Sequence, residues 1–348
     1  MQKIAIALSG GADSLMSLLL LRETGAEVMG VHARFLDQDD TQLHERLRKL
    51  CATLDVAFEL VDLRREFENL VVAPFVRAYQ AGLTPNPCAV CNPAIKFGLL
   101  LDRVRELGAQ RLATGHYARL EQTPHGPALF RGLDPAKDQS YFLSMVPGDR
   151  FAQVLFPLAT WTKDAVRQAL DERGLTPPAG RESQEVCFIP TEYRAFLRSR
   201  KARLSGPGPI TLADGTVLGR HAGLWNHTLG QRKGLGIAYS QPLYVTGKDF
   251  RKNRLIVGPK AEALARGCRT AAPNLLRPPG LWPAEVLVQT IYRQRPEPAR
   301  VTLDQTGMTI LFPEPRSIPT PGQVAAIYSA EGQVLAGAVI QAEAHHAA

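Results

Sequence analysis

Hydrophobic residues in the first third of the chain recur with two alternating periods. The short apolar runs typical of strands are residues 4–8, 27–33, 56–61 and 111–114. The stretches between them with apolar residues at three- and four-residue steps, typical of helices, are residues 15–22, 42–54 and 95–107. This alternation predicts an α/β domain with a parallel sheet covered by helices on both faces. Ligands of such sheets bind beyond the carboxyl ends of the strands.

The pattern changes after a Gly- and Pro-rich segment at residues 205–209. Short strands and turns follow, and a second Pro-rich stretch spans residues 273–283. The tail then alternates strands, with a predicted hairpin near its end. We therefore predict three domains, namely the α/β domain, a small β-rich central domain and a C-terminal β-barrel. Their predicted limits are residues 1–204, 205–272 and 273–348.

The distribution of charge along the chain suggests a binding partner. The 348 residues carry a formal net charge of +8, and residues 220–260 contain eight basic residues and one acidic residue. A concentrated basic patch favours a polyanionic partner such as nucleic acid, although a solvated surface is the alternative. No apolar run approaches the roughly 20 residues of a membrane span. We expect a cytoplasmic protein without membrane contact, as a monomer or weak dimer.

A glycine-rich loop follows the first predicted strand. Its sequence is Ser9-Gly10-Gly11-Ala12-Asp13-Ser14, and we call residues 9–14 the nucleotide loop. Glycines let a backbone approach a ligand closely, and N–H groups at a helix start bind phosphate oxygens. Asp13 is a candidate ligand of Mg²⁺, which prefers oxygen donors. No lysine follows the glycines, so the loop is not of the GxxxxGK[ST] type. An ordinary Gly-Gly turn with Asp13 and Ser14 as helix caps is the alternative.

Three of the five cysteines lie in segments that suggest sulfur chemistry. Cys88 and Cys91 form a Cys-x-x-Cys pair between prolines at the start of a helix, and Cys187 lies in residues 182–189. We expect the helix start to lower the pKa of Cys91 and so favour its thiolate. Cys51 and Cys268 are expected to be packing residues. An odd number of cysteines also argues against a structural disulfide framework.

Several motifs resemble, in order, those of one family. The nucleotide loop is similar to that of the PP-loop ATP pyrophosphatases. The wider match, to the tRNA-specific 2-thiouridylases, covers nearly the whole chain through residues 8–14, 84–98, 113–118, 137–141, 182–189, 219–236, 292–294 and 321–323. The resemblance implies ATP-dependent adenylation of the wobble uridine of glutamate, glutamine and lysine tRNAs. Sulfur from a donor, either sulfide or a sulfur-carrier protein, then replaces the 2-oxygen.

The same resemblance implies roles for individual residues. Cys91 matches the family's nucleophile and Cys187 its persulfide-bearing cysteine. The residues expected to bind ATP with Mg²⁺ are Ala7, Leu8, Ser9, Gly10, Gly11, Asp13, Ser14, Ala33 and Gly115. The residues expected to contact tRNA are His116, Lys137, Asp138, Gln139, Arg232, Lys233, Ile291, Tyr292 and Gln323. Of these, Arg232 and Lys233 lie in a basic glycine turn within the positively charged segment.

Cys88 departs from the family, which commonly has Asp at this position. Three thiols in this spacing resemble the PP-loop thiolases that hold a [4Fe–4S] cluster, for which thiolates are natural ligands. We favour Cys88, Cys91 and Cys187 as cluster ligands. The alternative is a persulfide on Cys187, with Cys91 releasing the sulfur and Cys88 as a spectator. Thiolation of another tRNA base and a non-catalytic tRNA-binding protein are the rival functions.

Overall fold

The structure is a computed structural model that describes residues 2–36, 41–179, 186–189, 192–200 and 203–342. The first domain contains strands β1 (Lys3–Ala7), β2 (Glu27–Arg34), β3 (Ala57–Asp62), β4 (Arg111–Ala113), β5 (Ala118–Thr123), β6 (Gly126–Arg131) and β7 (Val154–Leu155). Five of them form a sheet in the order β3-β2-β1-β4-β7, with every neighbouring pair parallel. This confirms the predicted α/β fold. The hairpin β5–β6 stands apart as a two-stranded sheet.

Helices cover both faces of the parallel sheet. They are α1 (Ala12–Glu23), α2 (Thr41–Thr53), α3 (Arg64–Phe67), α4 (Ala73–Gln80), α5 (Pro87–Cys91), α6 (Leu101–Glu106), α7 (Ser140–Leu143), α8 (Lys163–Glu172) and α9 (Tyr193–Ser199). A π-helical segment, Glu68–Val72, joins α3 to α4, and another, Asn92–Leu100, joins α5 to α6. The helix predicted at residues 95–107 therefore begins eight residues earlier, at Pro87. Its fully buried residues Ile95 and Phe97 anchor it in the main core.

The central domain is a four-stranded sheet. It consists of β8 (Gly208–Thr211), β9 (Val217–His221), β10 (Tyr244–Asp249) and β11 (Arg254–Gly258), in the order β10-β11-β8-β9. Apolar side chains such as Ile210 and Val245 form its small separate core. This confirms the predicted β-rich character of the middle of the chain.

The C-terminal domain is one curled antiparallel sheet of seven strands. They are β12 (Leu264–Arg269), β13 (Asn274–Leu275), β14 (Val286–Gln289), β15 (Glu297–Asp304), β16 (Gly307–Ser317), β17 (Val324–Tyr328) and β18 (Val334–Val339). β17 and β18 form the predicted hairpin. β12 lies before the predicted domain limit at residue 272, yet it belongs to this sheet because its backbone pairs with β16.

All three domains meet at the segment that precedes the Cys-x-x-Cys pair. The backbone N–H of Thr84 donates to the carbonyl of Pro321 at 3.0 Å, and the side chain of Gln323 donates to the carbonyl of Thr84 at 2.7 Å. From the central domain, Lys248 Nζ donates to the carbonyl of Gly82 at 2.9 Å. Residues 82–84 thus connect α5 to both β-rich domains. No helix in the described part of the chain is long and apolar enough to cross a membrane.

Candidate active site

The nucleotide loop connects the carboxyl end of β1 to the first turn of α1. Gly10 takes a φ of +82°, in the left-handed region that favours glycine. A β-carbon there would also lie 2.6 Å from the end of the Leu43 side chain, which would have to shift. The Ser14 hydroxyl donates to the carbonyl of Gly11 at 2.9 Å and lies 3.3 Å from the Ser9 hydroxyl. The loop is therefore held in one conformation, with the N-terminal end of α1 available to an anion.

Asp13 is held from two sides. Its Oδ1 accepts hydrogen bonds from the Tyr117 hydroxyl at 2.6 Å and from Lys163 Nζ at 2.8 Å. Lys163 is the first residue of α8, and only 4% of it is exposed. The carboxylate expected to hold Mg²⁺ thus already contacts a buried cation.

The other residues expected to bind ATP lie at the same edge of the sheet. Ala7 ends β1, Leu8 follows it, and Ala33 is near the end of the neighbouring strand β2. Gly115 follows β4, and a β-carbon on it would lie 2.9 Å from the backbone of Asp13. Gly115 therefore allows the β4 loop to touch the nucleotide loop. Direct contacts of these residues with ATP stay predictions.

The sequence Asn86-Pro87-Cys88 fixes where α5 begins. The Asn86 side chain caps the helix by accepting a hydrogen bond from the backbone N–H of Ala89 at 3.2 Å, and Pro87 occupies the first turn. Cys88 is half-buried, and Cys91, the last residue of α5, is buried. We call Cys88, Cys91 and Cys187 the cysteine cluster.

The expectation of a low pKa for Cys91 is wrong. Burial raises the pKa of the Cys91 thiol to about 12, although the Lys96 ammonium opposes this shift and the other two thiols add to it. Burial likewise raises the pKa of Cys88, against the opposing charge of Lys96. Cys91 lies at the end of the first helical turn, where removal from water outweighs the helix dipole.

Cys187 occupies a different environment from the other two thiols. It is exposed to solvent beside a cleft of about 1000 Å³. Dense neighbouring atoms still raise its pKa, while Lys96 again lowers it. Cys88 and Cys187 both contribute to the raised pKa of Cys91, and Cys88 contributes to that of Cys187, so the three thiols lie near one another. Residues 182–185 of the Cys187 motif lie outside the described residues.

The described residues around the cysteine cluster do not show a formed metal centre. Within the described ranges, no three His, Cys, Asp or Glu side chains are placed to hold a metal ion. An iron–sulfur cluster on three thiolates needs such a group. The [4Fe–4S] cluster therefore stays a prediction.

His116 links the loop after β4 to Lys96, the lysine near the cysteine cluster. Its Nε2 lies 3.3 Å from Lys96 Nζ, and its Nδ1 lies 2.8 Å from the Thr114 hydroxyl. Because an ammonium group only donates, Nε2 accepts and Nδ1 carries the proton. Burial, with the nearby Lys96 charge, holds the pKa of His116 well below its ordinary value. A neutral, 6% exposed His116 thus positions Lys96, and its expected contact with tRNA stays a prediction.

The Lys137-Asp138-Gln139 segment supports the nucleotide loop. Asp138 is 7% exposed, and its carboxylate accepts hydrogen bonds from Arg131 at 2.8 Å and from the Ser140 hydroxyl at 3.0 Å. The Gln139 side-chain oxygen accepts a hydrogen bond from the backbone N–H of Tyr117 at 3.1 Å. Gln139 therefore positions Tyr117, which binds Asp13, while Asp138 holds Arg131 and Ser140. Half-buried Lys137 is the more accessible member of the segment.

The residues of the C-terminal domain that are expected to contact tRNA also differ in how accessible their side chains are. Ile291 is 42% exposed, and Tyr292 packs on Phe142 with ring centroids 4.3 Å apart. Gln323, in contrast, uses its amide to hold Thr84. Ile291 thus has the most accessible side chain of the three, while Gln323 joins the C-terminal domain to α5.

The basic residues of segment 220–260 are not all exposed on the surface. Arg232 and Lys233 are exposed, as a contact with a polyanion requires. Lys248 is only 6% exposed, and burial lowers its pKa to about 8. Arg254 lies 3.5 Å from Asp249. Lys248 therefore joins two domains instead of adding to an exposed patch.

Three residues of this site were missed from the sequence. Lys96 and Lys163 are single lysines within helical stretches, and Tyr117 is one aromatic residue after a Gly-His pair. Lys163 is 150 residues from Asp13 in the chain. A lysine in a helical stretch is ordinary, so only the tertiary contacts reveal these roles.

Comparison with known proteins agrees with the resemblance. Residues 2–191 match a family described as tRNA methyl transferase HUP domain, residues 194–259 a tRNA methyl transferase PRC-barrel domain, and residues 265–340 an aminomethyltransferase beta-barrel domain. The breaks between these matches place residues 265–269, most of β12, with the third domain.

Several curated relatives are similar along nearly their whole length. A tRNA-specific 2-thiouridylase MnmA of Nitratidesulfovibrio vulgaris (strain DSM 19637 / Miyazaki F) is 55% identical over 346 residues, covering 97% of this chain and 99% of the relative. Proteins of the same name from Oleidesulfovibrio alaskensis and Lawsonia intracellularis are 50% and 43% identical, each covering 97% of this chain and 98% of the relative. The chain belongs to the family of the tRNA-specific 2-thiouridylases named MnmA.

Proposed function

We propose that this protein uses ATP to adenylate the 2-oxygen of a tRNA wobble uridine and then replaces that oxygen with sulfur. The observation that carries the proposal is the short bridge at residues 114–116. Gly115 touches Asp13 of the nucleotide loop, and His116 holds Lys96, whose charge acts on all three thiols. One loop thus joins a phosphate-binding site to a set of sulfur groups.

The nucleotide loop is suited to the first half-reaction. The uridine 2-oxygen attacks the α-phosphorus of ATP, the bond to the bridging oxygen breaks, and its electron pair leaves with pyrophosphate. The fixed N–H groups of the loop and the start of α1 would stabilise the negative charge on the leaving group. Asp13 has the oxygen donors that Mg²⁺ prefers, and the bound ion would neutralise phosphate charge.

The second half-reaction needs a sulfur nucleophile. For its delivery we propose the persulfide route, because the exposed Cys187 is accessible to a donor whereas Cys91 is buried nearby. The terminal sulfur of a Cys187 persulfide attacks C2 and expels AMP. The Cys91 thiolate then attacks Cys187 Sγ, which releases the sulfur to the base and leaves a Cys91–Cys187 disulfide. An external thiol reductant restores both thiols.

The function is tested without oxygen by incubating the protein with wobble-uridine tRNA, Mg-ATP, a thiol reductant and polysulfide, a donor whose sulfur is already at the oxidation level of a persulfide. We expect 2-thiouridine in the digested tRNA, by mass spectrometry, and one AMP for each sulfur incorporated. Heated protein and a tRNA with cytidine at the wobble position are the controls. Sulfur at another base would identify the rival tRNA thiolase, and the absence of both products would support a tRNA-binding protein.

The change Cys88→Ala separates the two sulfur routes. In the persulfide route Cys88 is a spectator, so we expect thiolation to fall less than about threefold. Loss of one of three cluster ligands would instead abolish thiolation together with bound iron. Iron, sulfide and the absorption spectrum of the anaerobic protein are measured alongside. Brown protein with about four iron atoms per chain would overturn the persulfide route.

A further inference from the structure

A buried lysine from another part of the chain lies beside the nucleotide loop, which contains no lysine of its own. Loops of the GxxxxGK[ST] type carry a lysine that reaches the β- and γ-phosphates. The sequence of residues 9–14 contains no lysine. Lys163, from the start of α8, nevertheless places its ammonium 2.8 Å from Asp13 within this loop.

We infer that Lys163 binds the triphosphate of ATP and neutralises charge on the departing pyrophosphate. The inference rests on the proposed function, and it assigns a residue in the adenylation step that the sequence motif does not contain. The interaction is purely electrostatic: Lys163 keeps its proton, while the bond between the α-phosphorus and the bridging oxygen breaks.

The position of Lys163 is unusual for a residue that only stabilises the fold. It is 4% exposed and lies in the first turn of α8, where the helix dipole disfavours a cation. The N-terminal end of α1 also carries partial positive charge beside Asp13. The start of α1 and the Lys163 ammonium therefore both lie at the Asp13 carboxylate. This excess of positive charge suits a ligand with several negative charges.

Neighbouring contacts hold Lys163 in place for such a ligand. Thr162 caps α8 by accepting a hydrogen bond from the backbone N–H of Ala165 at 3.2 Å, and the backbone N–H of Lys163 donates to Asp134 at 3.0 Å. The backbone is thus fixed, with the ammonium directed at the nucleotide loop. Asp13 would supply oxygen ligands to Mg²⁺, and the neighbouring Lys163 ammonium would then contact the phosphates.

The test compares ligands with and without phosphates on a Lys163→Met variant. ATP, inorganic pyrophosphate and adenosine are titrated by calorimetry, without tRNA or a sulfur source. We expect affinity for ATP and pyrophosphate to fall at least about tenfold, and affinity for adenosine to change less than twofold. With tRNA present, AMP formation should fall about 10²–10³-fold, as for loss of one preorganised charge-stabilising group.

Matched variants keep the outcome interpretable. Lys3→Met removes a lysine that lies 3.6 Å from Glu27 at the other end of β1, and it should leave all three affinities unchanged. Lys163→Arg keeps the charge and should retain pyrophosphate affinity within about threefold even if Lys163→Met does not fold. Full ATP affinity and AMP formation in folded Lys163→Met, or loss of pyrophosphate affinity in folded Lys163→Arg, would overturn the inference. Wild-type protein that binds no ATP would instead overturn the proposed function.

Discussion

The nucleotide loop and the cysteine cluster meet at residues 114–116, but they are prepared for chemistry to different degrees. In the loop, Asp13 and Ser14 already have short hydrogen bonds to fixed partners, between 2.6 and 2.9 Å. In the cluster, burial raises the pKa of Cys88 and Cys91, and dense neighbouring atoms raise the pKa of the exposed Cys187, so the protonated forms dominate at neutral pH.

In the proposed mechanism, this difference would keep the two half-reactions in order. A preorganised loop can bind ATP at once, because its charges and dipoles are already in place. Protonated thiols react poorly with electrophiles until their surroundings change. The arrangement therefore favours adenylation before sulfur transfer.

The strongest test of this separation is Cys187→Ser. Serine cannot carry a persulfide, so we expect 2-thiouridine formation to fall by about 10³-fold or more. ATP affinity should stay within about twofold, because the nucleotide loop does not depend on Cys187. Thiolation is measured by mass spectrometry of nucleosides, and ATP affinity by calorimetry. Cys51→Ala, at a buried thiol on α2, serves as the control. A parallel loss of ATP affinity would show that the two regions are not separate.

Alkylation rates compare the reactivities of the thiols within the cysteine cluster. At pH 8 we expect iodoacetamide to modify Cys91 about 10- to 100-fold more slowly than the exposed Cys187, because only the thiolate reacts. Because the pKa of Cys91 is about 12, its rate should continue to rise from pH 8 to pH 10. Peptide mass spectrometry gives both rates in one sample. Equal rates at pH 8 would contradict the environments described for these thiols.

A smaller effect is expected from Tyr117→Phe on the nucleotide side. The change removes the 2.6 Å hydrogen bond to Asp13 and leaves the ring in place. Loss of a hydrogen bond to a charged group typically costs about 1.5–3 kcal/mol. Because Lys163 still binds Asp13 in this variant, we expect a smaller cost and a fall in AMP formation of about five- to tenfold. Cysteine alkylation rates should not change. Tyr244→Phe, on β10, is the control, and an unchanged AMP rate in Tyr117→Phe would contradict a role for this contact.

Much of the fold was predictable because its signals are local. Apolar runs and helical spacing gave the strands and helices around the parallel sheet, and the change of pattern near residue 205 marked the β-rich part. The start of α5 was predicted too late, since Asn86 and Pro87 begin a helix that continues through a π-helical segment to residue 106. The five residues of α5 are too few to display a helical period in the sequence.

The candidate site was predictable in its residues but less so in their environments. Gly10, Asp13 and the three cysteines are recognisable by motif and spacing. The pKa of Cys91 was predicted in the wrong direction, because burial depends on Phe97 and other residues that pack around the helix. Asp138 and Gln323 were expected at tRNA, and the structure shows their side chains holding Ser140 and Thr84.

The family, the α/β and β-rich division of the chain and the residue types of the site can be recognised in the sequence, since they depend on local periodicity and short motifs. Only the tertiary structure decided which charges meet. Lys163 reaches Asp13 across 150 residues, and Lys96 reaches His116 across 20. The physical reason is that desolvation and ion pairing depend on three-dimensional proximity, which a motif does not encode.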